Sequence, residues 1–362
     1  MTHRVHNFHA GPAALPLPVL AQVQQHLLDY AGSGMSILEL SHRSAPYEQV
    51  HNQAIADLRS LLQCPEEYAI LFMGGGGQTQ FALVAMNFLP AGAHADYLIT
   101  GNWSTSALHE AQKIGDARVL WSGASTHYDR VPTPHDYTLD PHAAYLHYTS
   151  NNTIVGTQYA TVPEAGDVPL VCDMSSDLLS QPVEVSRFGL IYAGAQKNAG
   201  TAGVTIVLVR RDLLARCPTA LPSTLSYARI ADHNSLLNTP PVFAIYIVGL
   251  VAKYVLDQGG LRAMATHNAQ KATLLYATID NSEGFYRGGA KPHSRSLMNV
   301  TFRLPTTELE TRFVAASTAA GLIGLKGHRS VAGIRASLYN AVSLASVQAL
   351  VDFMVDFRQR CS

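Results

Sequence analysis

One lysine set among small residues carries the strongest chemical signal in the chain. Lys197 lies in Tyr192-Ala193-Gly194-Ala195-Gln196-Lys197-Asn198, between apolar runs at 188–192 and 204–209. An ammonium at a tight turn between two buried strands is poorly solvated. Desolvation lowers its pKa and frees the amine to act as a Schiff-base nucleophile. Upstream, Asp173 closes another buried run, 168–172. An acid at one strand end and a lysine one strand later is the pairing that pyridoxal phosphate enzymes use, with the acid facing the pyridinium nitrogen.

Other residues supply the remaining chemistry. Phe72-Met73-Gly74-Gly75-Gly76-Gly77-Gln78-Thr79 follows a strand and opens a helix. Glycines let the backbone approach a phosphate, and the free N–H groups of a helix start favour an anion. A P-loop would continue Gly-Lys-Ser/Thr, and Gln78-Thr79 stands there instead. A dinucleotide fingerprint would need a glycine where Thr79 stands and an acid closing the next strand, so that reading fails too. A purely structural glycine turn stays open. Trp103 offers an aromatic face for a flat ring or a core side chain, and Thr153 is either a ligand or a turn residue in an Asn-rich loop. His42-Arg43 and His328-Arg329 are cationic pairs suited to phosphate, because the arginine fork donates two parallel hydrogen bonds. Taken alone, they are equally compatible with surface loops.

These groups are positioned by an alternating chain. Helices are expected at 19–30, 47–62, 78–89 and 105–114, and strands at 68–73, 95–100, 118–121, 143–149, 168–172, 190–192 and 204–209. Near-continuous apolar strands separated by helical segments predict a mostly parallel sheet of seven strands covered on both faces. Pro240 and Pro241 mark a helix start, with Thr239 as its cap and an end near 256, and a second long helix follows Gly259-Gly260. From Ser296 the texture changes to a strand at 297–302, a helix at 307–320, a strand at 334–338 and a closing helix at 344–358. This predicts an α/β chain with a large domain over 16–262 and a smaller α+β domain over 263–362, which residues 1–15 join.

Composition excludes several classes. Hydrophobic content of 47% against 14% charged residues supports a sizeable core and argues against disorder. Net charge is −1, and basic residues never run beyond two, so neither nucleic acid nor a charged membrane surface is an expected partner. No apolar stretch reaches membrane-spanning length, and Met1-Thr2-His3-Arg4-Val5-His6 lacks the core of a secretory signal. Cys64, Cys172, Cys217 and Cys361 share no metal or redox spacing, so the expected location is cytoplasmic and no metal site is expected.

Five motifs occur in order: Asn7-Phe8-His9-Ala10-Gly11-Pro12-Ala13, Glu39-Leu40-Ser41-His42-Arg43-Ser44, Gly194-Ala195-Gln196-Lys197-Asn198, Asn238-Thr239-Pro240-Pro241, and Gly327-His328-Arg329 with Arg335-Ala336-Ser337-Leu338-Tyr339-Asn340. Together they resemble the phosphoserine aminotransferase family, within the class V aminotransferases of fold-type I, along nearly the whole chain. The resemblance implies a transaminase moving an amino group between glutamate/2-oxoglutarate and O-phosphoserine/3-phosphooxypyruvate in serine biosynthesis, and 4-phosphohydroxythreonine as a further substrate in pyridoxine biosynthesis. It implies that Lys197 binds pyridoxal phosphate covalently and shuttles the substrate's proton, while Asp173 pairs the ring nitrogen. It assigns Gly77, Gln78 and Gln196 to the cofactor phosphate, Trp103 to ring stacking and Thr153 to a contact near the ring hydroxyl. Asn238 and Thr239 would reach the phosphate in the opposite subunit of a homodimer. His42, Arg43, His328 and Arg329 would hold the substrate's distal phosphate, and Arg335 its α-carboxylate. The chain departs from the family at Gln78, where arginine is common, and this places selectivity for a phosphorylated substrate in question. A related desulfurase would need a reactive cysteine on a mobile loop, and residues 218–360 contain none.

Overall fold

The computed structural model describes residues 4–361. Met1, Thr2, His3 and Ser362, all within the expected smaller domain, lie outside the described residues. In β1 (Tyr68–Gly74), Tyr68, Ile70 and Phe72 pack into one apolar cluster, and Ala69, Leu71 and Met73 pack into another. A strand apolar on both faces must be covered on both. The other strands of this sheet are β2 (His94–Ile99), β3 (Asp116–Ser122), β4 (Leu146–Thr149), β5 (Leu170–Asp173), β6 (Leu190–Gly194) and β7 (Val204–Arg210). Their spatial order is β1-β7-β6-β5-β4-β2-β3. Only β7 runs antiparallel to its neighbours β1 and β6, and the remaining pairs are parallel. The seven-stranded, mostly parallel sheet expected from the apolar runs is what forms.

Helices cover both faces of the sheet. Along the chain come α1 (Leu17–His26), α2 (Ala45–Leu62), α3 (Gly77–Phe88), α4 (Asn102–Gln112), α5 (Val242–Asp257) and α6 (Gly260–Asp280). Leu58 of α2 with Ile245 and Val248 of α5 fill one cluster, and Phe81 and Val84 of α3 with Leu108 of α4 fill the other. A third cluster joins Phe8 and Leu275 to Phe302 on β8 (Asn299–Arg303), Phe313 on α7 (Thr307–Ala319), Ile334 on β9 (Ile334–Ser337) and Leu350 on α8 (Leu344–Cys361). Helix α6 serves two cores, with Leu261 and Met264 in the first cluster and Ala272 and Ile279 in the third. Near its middle, Lys271 is fully buried and donates to the carbonyls of Leu338, Tyr339 and Val342 at 2.7, 2.8 and 3.0 Å. Those acceptors suit its ammonium, yet burial pushes its pKa down to about 7. Among the described residues, no single helix is long and apolar enough to cross a membrane.

Several expected boundaries move. Thr239 does not cap a helix: α5 begins at Val242 with Pro241 as its N-cap and no side-chain cap bond. A hydroxyl two residues before the cap is too early in the chain to reach the first-turn amides. Helix α1 stops at His26 rather than near Tyr30, because the following segment turns through Ala31, Gly32 and Gly34 at positive φ. Helix α4 begins at Asn102, so Trp103 belongs to its first turn instead of preceding it. Strand β4 starts at Leu146, where pairing with Asp96 of β2 begins. Composition gave no sign of the two-residue strand His6–Asn7, which pairs in parallel with Leu322–Ile323 and ties the chain start to the third cluster, nor of the short helix Tyr227–Asp232.

Candidate active site

The carboxyl ends of β4, β5 and β6 meet the loops that bear the chemistry, which is where open α/β sheets bind ligands. Register fixes the acid and the lysine relative to one another: Asp173 pairs with Tyr192, two residues before β6 ends at Gly194, and Lys197 follows in the turn to β7. Lys197 Nζ donates to Thr153 Oγ1 at 2.6 Å and lies 5.4 Å from the centroid of the Trp103 ring. Burial pushes the lysine's pKa down to about 8; Asp173 and Asp177 oppose this and Arg335 adds to it. Asp173 is buried, and its Oδ1 accepts the Ser175 N–H at 2.9 Å. Desolvation raises its pKa, against the pull of Lys197 and Ser175. An amine of lowered pKa and a buried acid thus act on each other across neighbouring strand ends.

A phosphate-sized cradle adjoins them. Helix α3 starts at Gly77 behind Gly76, with no side-chain cap; the Thr79 N–H donates to the Gly76 carbonyl at 3.0 Å, and the N–H groups of Gly77 and Gln78 have no intrahelical acceptor. Gly75 holds φ +92°, a conformation that favours glycine. A Cβ on Gly77 would meet Ser175 Oγ at 2.9 Å, and one on Gly194 would meet Gln196 Oε1 at 3.0 Å and the Gly77 nitrogen at 3.1 Å. Gly77, Ser175, Gly194 and Gln196 therefore converge. Gln78 is exposed at the second residue of the helix. Trp103 is half-buried, and its Nε1 has no acceptor among the described residues.

The cationic residues divide into separate places. Arg335, on β9, donates from Nη1 to the Thr153 carbonyl at 3.3 Å, and its buried Nε has no acceptor among the described residues. It borders a cavity of about 360 Å³ together with Ile154, Val155 and Thr301. His328 and Arg329 line a different cavity of about 660 Å³ against Thr307, Glu310 and Thr311 of α7. Burial and the charges of Arg335 and Arg329 hold the His328 imidazole below its usual pKa. His42 and Arg43 lie on a third surface, joined by an Arg43 Nε to His42 Nε2 hydrogen bond of 3.4 Å. There His42 shares a cavity of about 510 Å³ with Gly203, Thr239 and Pro240. Asn238 and Thr239 are exposed and also line a cavity of about 230 Å³ with Gly74 and Thr79. The structure brings Lys197, Asp173, Thr153, Trp103, Gln196, Gly77 and Arg335 together. It leaves His42 and Arg43 apart from these, with Asn238 and Thr239 exposed between the His42 surface and the glycine run before α3.

A family model described as aminotransferase class-V matches residues 5–350. The chain is 54% identical to the phosphoserine aminotransferase of Desulfatibacillum aliphaticivorans and 52% identical to that of Lysinibacillus sphaericus, over 99% of both chains in each case. The chain belongs to the phosphoserine aminotransferase family. Its backbone superimposes on the phosphoserine aminotransferase from Bacillus circulans subsp. alkalophilus with a TM-score of 0.98 at 52% identity, covering 100% of both chains. A Trichomonas vaginalis phosphoserine aminotransferase solved with pyridoxal phosphate bound gives a TM-score of 0.92 at 37% identity, over 97% of this chain and 100% of that one.

Members of this class V, fold-type I family are pyridoxal phosphate-dependent transaminases, and this chain is one. The residues present fit that cofactor. An amine of lowered pKa lies beside an aromatic face with an unpaired indole N–H, and a buried acid and an uncapped helix start adjoin the same turn. The structure also places at the site residues to which motif reading gave no role. Ser175 holds Asp173 through its N–H, and its hydroxyl accepts the Gly194 N–H at 3.0 Å. Asn198, next to the lysine, donates to the Leu178 carbonyl at 2.8 Å and accepts the Asn340 N–H at 2.9 Å, which braces the lysine turn against the segment after β9. The run Ser175-Ser176-Asp177, one residue beyond a strand-ending acid, was the available signal: small polar residues at a strand's carboxyl end have buried partners to satisfy.

Proposed function

We propose that this protein catalyses reversible amino transfer between glutamate/2-oxoglutarate and O-phospho-L-serine/3-phosphooxypyruvate, the transamination of serine biosynthesis. The observation that carries the reading is the Lys197–Thr153–Arg335 chain. A nucleophilic amine bonds Thr153 Oγ1, and an arginine with an unused Nε bonds the Thr153 carbonyl, so amine and carboxylate clamp are spaced by one residue. Bound pyridoxal phosphate supplies an electron sink for the substrate's Cα. Lys197 would hold it and Asp173 would keep an anion at its ring nitrogen. Trp103 would brace the ring face. Gly77, Gln78 and Gln196 would bind the phosphate through backbone N–H groups and the Gln196 amide. Lys197 Nζ would remove the proton from substrate Cα, and burial, which pushes its pKa down to about 8, favours the neutral amine that can accept it. Arg335 would orient the α-carboxylate.

The distal phosphate falls to the two His-Arg pairs, and among the described residues His328 and Arg329 line one cavity while His42 lines another. That separation supports a homodimer with shared sites, where His42, Arg43, Asn238 and Thr239 serve the opposite subunit. The division into 16–262 and 263–362 with 1–15, and a cytoplasmic location in keeping with four free cysteines, belong to the same proposal.

A donor panel tests the activity: with 2-oxoglutarate as acceptor, kcat/KM for phosphoserine should exceed that for serine and aspartate. Equal use of serine would overturn the phosphate assignment. Subunit exchange tests the shared site. Inactive Lys197→Ala and Asn238→Ala/Thr239→Ala proteins, mixed and allowed to exchange, should regain activity, because one site per heterodimer is then intact. Silence despite verified exchange places both elements in one chain's site.

A further inference from the structure

Behind Asp173 lies a second acid that the reaction as derived leaves unused. Asp177 is buried in the turn after β5, where its N–H donates to the Met174 carbonyl at 3.1 Å. Its Oδ1 lies 2.5 Å from Ser150 Oγ, and its Oδ2 lies 3.2 Å from Gln158 Nε2. Among the described residues it has no ion-pair partner within 4 Å. The Gln158 amide is oriented, because its Oε1 accepts the Leu297 N–H at 2.8 Å, so Nε2 donates to Asp177. Oδ2 is thereby an acceptor, and Oδ1 is where a proton can reside.

Ser150 Oγ has a second neighbour, the Asp173 carbonyl at 3.1 Å. A serine hydroxyl owns one hydrogen and cannot donate to both oxygens. If Asp177 is ionised, it takes that hydrogen, and the contact with the Asp173 carbonyl is not a hydrogen bond. If Asp177 carries a proton on Oδ1, both distances become hydrogen bonds running in one direction. A buried carboxylate without a cation is also the costlier state. We propose that Asp177 is a neutral acid in the folded enzyme and a positioning residue: its Oδ1–H donates to Ser150, whose hydroxyl donates to the Asp173 carbonyl. Its consequence for the reaction rests on the assignment of Asp173 to the cofactor's ring nitrogen. The backbone bearing Asp173 is pinned from behind, and Asp173 remains the one anion of the pair.

The titratable groups that act on Asp177 are Asp173 and Cys172 on β5, Tyr148 on β4 and Lys197 in the turn after β6. Burial keeps Tyr148 and Cys172 uncharged. Desolvation, aided by the Asp173 charge, pushes the Asp177 pKa up to about 7, while Ser150, Gln158 and Lys197 pull the other way.

Infrared difference spectroscopy on the holoenzyme tests this directly. At pH 6, wild type minus Asp177→Asn should show a protonated-carboxyl C=O band, and Ser150→Ala should shift that band by removing its acceptor. A difference spectrum with carboxylate stretches alone, or a band that Ser150→Ala leaves in place, overturns the proposal. Should Asp177→Asn not fold, the Ser150→Ala comparison decides by itself. The chromophore linked to Lys197 gives an independent measure. At pH 6, replacing a neutral acid by an amide should leave its absorbance spectrum where it is, whereas removing an anion would favour the deprotonated chromophore and refute the assignment.

Discussion

Gly194→Ala isolates the phosphate cradle from the rest of the fold. Gly194 ends β6, is buried and is not among the positive-φ residues, so alanine meets no backbone strain there. Its new Cβ would stand 3.1 Å from the Gly77 nitrogen and 3.0 Å from Gln196 Oε1, tighter than ordinary van der Waals contact. The methyl group would then crowd the first amide of α3 and turn aside the Gln196 side chain. A hydrogen bond to a charged group is worth about 1.5–3 kcal/mol, and each 1.4 kcal/mol is about tenfold in affinity. Loss of one such bond should raise the dissociation constant for pyridoxal phosphate by roughly 10- to 150-fold. Titration of the cofactor-free protein, followed by absorbance, measures this, with circular dichroism as a check on folding. A folded variant that binds the cofactor within twofold of wild type would show that Gly77 and Gln196 do not hold the phosphate.

Three more outcomes are expected. Lys197→Ala should lose the yellow colour and the borohydride-reducible link to the cofactor, and in wild type the rate of cofactor uptake should rise with pH through a midpoint near 8, because the neutral amine is the reactive form; an adduct surviving in the variant would move the role to another lysine. Gln78→Arg restores the charge that the family commonly carries and should raise kcat/KM for phosphoserine relative to glutamate by about one to two orders of magnitude; no relative gain would place Gln78 outside the distal-phosphate pocket. Lys271→Met strands three carbonyls and should cost about 3 kcal/mol or more in urea unfolding. The folded lysine titrates near 7 and the unfolded one near 10, so the unfolded chain holds more protons in between and wild-type stability should climb with pH across that window. The variant should lack that climb, and an identical slope in both proteins would refute the burial argument.

Much of this site is local in the chain and was legible there. Lys197 and its small neighbours, the glycine run before α3 and the strand-ending Asp173 each depend on what a strand end or helix start exposes, and short stretches of sequence encode that. The sheet was legible for a similar reason: a strand buried on both faces is apolar nearly throughout, as residues 206–209 are. Thr239 marks where local reading stops. Its Thr-Pro-Pro context reads as a helix cap, yet the helix starts beyond Pro241 and the threonine faces a surface shared with His42.

What only the tertiary structure decided are relations between distant segments. Asp173 and Lys197 become one site because β5 and β6 pair in a particular register. Thr153 meets both Lys197 and Arg335, residues separated from it by 44 and 182 positions. The Asp177–Ser150–Asp173 chain and the burial of Lys271 against the segment after β9 have no sequence period at all. Propensity and periodicity act over a few residues, whereas a buried polar group finds its partners wherever packing brings them. The sequence therefore names the chemistry, and packing sets the proton positions and pKa values on which it runs.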